Sequence, residues 1–89
     1  MEKNNKMNTS ANDQPTSSCR WEHHEKKRYY QVFLACDLLG DWVVTKAWGG
    51  LGTSQGRITH IACGSFEEAT KLISKINQLR ISRGYITLS

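Results

Sequence analysis

From Tyr29 onward the apolar residues keep first one spacing and then another, and the switch predicts the architecture. Tyr29–Asp37 (Tyr-Tyr-Gln-Val-Phe-Leu-Ala-Cys-Asp) is dense in aromatic and β-branched side chains, as a well-buried strand requires. Leu39-Gly40-Asp41 supplies a turn. Trp42–Trp48 then alternates, with Val43, Thr45 and Ala47 on one face and Trp42, Val44, Lys46 and Trp48 on the other. A glycine-rich loop from Gly49 to Gly56 leads into Arg57–Cys63, where Ile58, His60 and Ala62 oppose Thr59 and Ile61. Short strands divided by glycine turns read as an antiparallel meander.

After Cys63 the period becomes helical. Ser65-Phe66-Glu67-Glu68 fits a capping box, with Ser65 accepting from the Glu68 N–H and Glu68 reaching back to the cap. Phe66, Ala69, Leu72, Ile73, Ile76 and Leu79 form one apolar stripe, and Gly84 stands where a left-handed residue would end the helix after Arg83. Tyr85–Leu88 returns as a short last strand. The expected fold is α+β: a small antiparallel sheet of three to five strands with one helix packed on it.

The first 27 residues contrast with this. Met1–Ser18 is almost wholly Asn, Lys, Ser, Thr, Asp and Gln, with too little apolar surface to offset the entropy of ordering its backbone. A disordered tail over 1–27 and one domain over 28–89 follow, Trp21 being the one tail residue with reason to dock on that domain. No apolar run approaches the ~20 residues of a membrane span, and no secretory apolar region opens the chain. A cytoplasmic location is expected. Cys19, Cys36 and Cys63 are an odd number and suit free, buried thiols rather than a disulfide framework.

The formal net charge of +4 is compatible with a polyanionic partner and demands none. Other chemistry finds little support. The glycine loop lacks the Gly-Lys-Ser/Thr ending of a phosphate loop and precedes a strand. The cysteines and histidines show no Cys-x₂-Cys spacing, so neither a metal nor a cofactor is expected. His60 with Asp37 or Asp41 has no spacing that suggests catalysis.

Five groups of residues in order resemble one family. Tyr30 lies in a first strand, Trp48-Gly49 closes the second, and Gly52-Thr53 occupies the turn; Phe66 with Ala69 opens the helix and Gly84-Tyr85 closes the set. Over Arg28–Ile86 this resembles the WGR domain, a small module of poly(ADP-ribose) polymerases and of many bacterial proteins. Gly50 stands where the family has its name-giving Arg. The resemblance implies a non-enzymatic module that contacts nucleic acid, DNA rather than RNA, at ends, nicks or single-stranded junctions and without strong sequence preference. It places Trp48 against a sugar–phosphate strand end, with Lys46 and Arg57 as phosphate contacts. Lys71 and Lys75 on the helix would extend a basic rim, and Lys26-Lys27-Arg28 a flexible arm. Neither a membrane nor a small-molecule substrate is expected. The alternative is a protein-interaction module anchored by an exposed Trp48.

Overall fold

A computed structural model describes residues 16–88. Strands β1 (Ser17–His23), β2 (Arg28–Cys36), β3 (Trp42–Gly50) and β4 (Gly56–Cys63) are followed by helix α1 (Phe66–Ser82) and the two-residue strand β5 (Ile86–Thr87). The strands form one antiparallel sheet in the order β4-β3-β2-β1-β5. The α+β architecture expected from the two periods is the one observed. Among the described residues no helix is long and apolar enough to cross a membrane.

The domain boundary expected at residue 28 needs correction. Ser17–His23, placed in the tail by its polar neighbours, is an interior strand of the sheet, hydrogen-bonded to β2 on one side and β5 on the other. The reason is Trp21, which has 0% of its surface exposed. Its ring meets Tyr30 edge-on, and its Nε1 donates to Asn77 Oδ1 on α1 at 2.9 Å. Burying so large an indole with its one donor satisfied outweighs the cost of ordering seven mostly polar residues. The remainder of the expected tail, residues 1–15, lies outside the described residues.

Register sorts the side chains into two faces. Cys19, Trp21, Tyr30, Val32, Leu34, Trp42, Val44 and Ile61 point to the face that carries α1. Ala69 and Ile76 close on it from the helix, with Leu72 and Ile73 beside them. The helix crosses the sheet diagonally. Its first residue, Phe66, packs edge-on against Trp42 on β3, while Arg80 in its last turn lies over Tyr30 on β2 and over Tyr85, which leads into β5. One corner of this face, at the ends of β3 and β4 farthest from the β2–β3 turn, is therefore left uncovered.

The helix caps follow the sequence with one shift. Ser65 Oγ accepts from the Glu68 N–H at 3.1 Å, but the Glu68 carboxylate reaches one residue further back, to the Gly64 N–H at 2.9 Å. At the other end Gly84 has φ +92°, and the Gly84 and Tyr85 N–H groups close onto the carbonyls of Ile81 and Arg80. The β2–β3 turn is held by Asp37, whose Oδ1 accepts from the backbones of Leu39 and Asp41, with Gly40 at φ +88°.

Candidate functional site

One cross-strand row on the helix-bearing face leads to the uncovered corner. Trp21 faces Tyr30, Tyr30 faces Trp48, and Trp48 faces Arg57. The helix covers the first two members and stops short of the last two. Trp48 is half-buried: its ring stacks on Tyr30 at 5.8 Å between centroids and 15° between planes. The Arg80 guanidinium also lies over the Tyr30 ring, 4.3 Å from its centroid. Arg80 Nε is buried without a hydrogen-bond partner, so the two tyrosine rings stabilise this cation in place of a carboxylate.

Trp48 and Arg57 both line a cleft of about 390 Å³, open to solvent. Arg28 lines it from the start of β2, together with Gly49, Gly50, Thr53, Gln55 and Gly56. The loop is ordered by its own hydrogen bonds. Thr53 Oγ1 lies 3.0 Å from the Gly50 carbonyl and 3.1 Å from that of Gln55, and the Leu51 N–H donates to the Lys27 carbonyl at 2.8 Å.

The glycines have an internal explanation. A Cβ on Gly49 would lie 2.8 Å from the Gln55 carbonyl oxygen and 3.2 Å from the Tyr29 ring; one on Gly56 would meet the Tyr29 hydroxyl at 2.8 Å. These two glycines pair with each other, and Tyr29 lies across them on the face away from the helix. What the missing side chains admit is thus a tyrosine of the same chain. Gly50 differs: its Cβ would make only ordinary contacts, 3.5 Å from Thr53, and its φ is not positive.

The sequence-predicted residues separate into groups. Trp48 and Arg57 come together as direct cross-strand neighbours. Lys46 lies on the same face one pleat along, opposite Thr59, and is half-buried. Arg28, assigned to a flexible arm, is instead the first residue of β2 and part of the cleft. Lys71 and Lys75 are exposed and do not line it. Lys71, two positions from the buried Ala69, projects away from the sheet. Lys75 lies on the flank opposite Asn77, and since Asn77 bonds Trp21 on β1, that flank looks toward β3 and β4.

Charge is divided between the two ends of the sheet. Asp37 and Asp41 in the β2–β3 turn and Glu67 and Glu68 at the helix start share one end, and no Lys or Arg joins them among the described residues of that turn and that first helical turn. The cleft end holds Lys26, Lys27, Arg28, Arg57, Arg80 and Arg83. Two carboxylates lie there too. Glu25 is exposed in the β1–β2 turn, and Glu22 is engaged on the opposite face, 2.8 Å from His24 Nε2 and 2.9 Å from Arg20 Nε. Hydrogen bonds from His24 and then Arg20 hold the Glu22 carboxyl below its ordinary pKa, so it stays ionised and committed to those partners. Neither Arg28 nor Arg57 makes an ion pair among the described residues.

Among the described residues no group of histidine, cysteine and carboxylate side chains could hold a metal ion, and the three cysteines are free. No family model matches the chain, and neither a curated protein nor a solved structure matches it.

Proposed function

We propose that this chain is a WGR-like module, without enzymatic activity, that binds DNA at ends, nicks or single-stranded junctions with little sequence preference. The observation that carries this reading is the pairing of Trp48 with Arg57 across neighbouring strands, at the corner the helix leaves bare and beside Arg28. One face of the indole is stacked on Tyr30; the other would take a sugar or base, with two guanidinium groups nearby for phosphate. An unstacked nucleotide at an end or junction suits that arrangement better than a continuous duplex. Backbone and stacking contacts of this kind carry little base information.

The test is a fluorescence-anisotropy titration of labelled blunt, nicked and single-stranded DNA at two salt concentrations, with Trp48→Ala beside the wild type. Micromolar binding that weakens with salt and falls roughly tenfold or more on loss of the indole is expected, from about 1–3 kcal/mol per stacked base. No binding at low salt by a folded protein would refute the reading.

Gly50 offers a gain-of-function check. With space for a Cβ and an ordinary φ, Gly50→Arg is expected to fold and to bring a third guanidinium to the cleft. If it reaches a phosphate, the dependence of log K on log salt steepens by close to one unit. An unchanged slope and affinity in the same titration would mean that this position faces no phosphate.

A protein contact is the second reading, and the observation that favours one lies elsewhere. Leu38 and Leu39, 79% and 87% exposed, tip the β2–β3 turn at the acidic end. Trp48, with one face already stacked, is the poorer anchor.

A further inference from the structure

The two edges of the sheet are unequal. β5 presents two residues, whereas β4 presents eight, Gly56–Cys63, paired to β3 in unbroken register with no bulge and no proline. Its one charged residue, Arg57, is near its start. Ile58 is 64% exposed, and the first five residues of the strand are all exposed. Natural edges are usually blunted by charge, proline, bulges or a covering element, and beyond Arg57 β4 has no charged residue, proline or bulge.

We propose that β4 pairs antiparallel with β4 of a second copy of this chain, about a two-fold axis at His60, to form one continuous ten-stranded sheet. An isologous contact must be self-complementary, and this one is. It places Ile58 opposite Ala62 on one face and Ile61 opposite Thr59 on the other, a large side chain against a smaller one each time. No two like charges face each other, because Arg57 falls opposite Cys63. The two His60 rings do not collide at the axis, since each leans inward to β3, with Nδ1 2.9 Å from Thr45 Oγ1. The helix does not cover the edge either: its first residue packs on Trp42, one strand inward.

Charge argues for a second copy over a foreign strand. Antiparallel pairing brings the acidic end of one molecule beside the basic end of the other. Arg57 projects on the helix-bearing face, opposite Cys63 of the second copy, and α1 of that copy begins three residues after its Cys63. Glu67, exposed and without an ion-pair partner among the described residues, opens that helix, so a free carboxylate stands at the end of each copy that lies along the Arg57 end of the other. The association needs no nucleic acid, so it stands or falls apart from the reading of the cleft.

Sedimentation equilibrium of the full chain, without nucleic acid, from about 5 μM to about 500 μM spans the range in which a modest interface dissociates. The wild type is expected to pass from one to two chain masses. Ile58→Lys, at an exposed position, should weaken association at least tenfold with an unchanged far-ultraviolet spectrum. Glu67→Arg should weaken it several-fold, and adding Arg57→Glu to it should restore it. A wild type monomeric throughout, or a dimer indifferent to Ile58→Lys and to the charge exchange, overturns the proposal.

Discussion

Trp21→Ala is expected to leave little folded protein at room temperature. The indole is fully buried, touches Tyr30, and ties β1 to α1 through its bond to Asn77. Truncating such a residue costs about 3–5 kcal/mol from lost transfer energy and the cavity left behind. Small domains have about 5–15 kcal/mol in all, and this one has a modest core, so the loss removes a large share of its stability. Urea unfolding followed by circular dichroism should show a transition moved to far lower denaturant or lost. Trp21→Phe separates the two contributions. It keeps most of the apolar volume and loses the donor, and Asn77, being exposed, regains a partner from water, so a cost near 1 kcal/mol is expected. A chain lacking residues 1–27 should behave like Trp21→Ala, because it too lacks the strand between β2 and β5. Stable folding of that shortened chain would mean that another segment can replace β1.

The second large effect concerns binding. Arg28→Glu with Arg57→Glu is expected to abolish measurable DNA binding at low salt, a loss of at least about a hundredfold, while the fold persists. Both side chains are exposed and unpaired among the described residues, so reversing them removes no ion pair within the chain. Two phosphate contacts on duplex DNA correspond to a slope of about −1.8 in log K against log salt. The single substitutions should each reduce the wild-type slope by about half that amount. If the double variant binds as tightly as the wild type, the ligand of this corner is not a polyanion.

Much of the fold was legible because its signals are local. Alternation in Trp42–Trp48, the change to helical spacing after Ser65 and the glycine at 84 each depend on a few consecutive residues. β1 was missed for the opposite reason. Its outward face, Ser18, Arg20 and Glu22, is polar, and only Cys19 and Trp21 mark the inner one, amid neighbours of tail-like composition. The period-two pattern Cys19, Trp21, His23 was the available signal. It is weak because so short a strand is stabilised by partners distant in the chain. The candidate site was legible residue by residue but not as a constellation. That Arg57 faces Trp48 depends on Gly49 pairing with Gly56, a register set by the loop between them. Arg28 joined the cleft only once β2 was known to begin with it. The places of Lys71 and Lys75 were not legible, because a helical repeat does not say which flank of the helix looks toward the bare corner.

The division of charge between the two ends of the sheet has a kinetic consequence. A sphere of charge +4 would drift toward a polyanion in any orientation, and most encounters would be unproductive. Here carboxylates at one end and guanidinium groups at the other give the described residues a dipole nearly along the strands. An approaching phosphate backbone therefore exerts a torque that turns the Trp48 corner forward before contact. Added salt should then slow association more than it hastens release, since the orienting field is lost beyond a screening length of about 10 Å at 0.1 M.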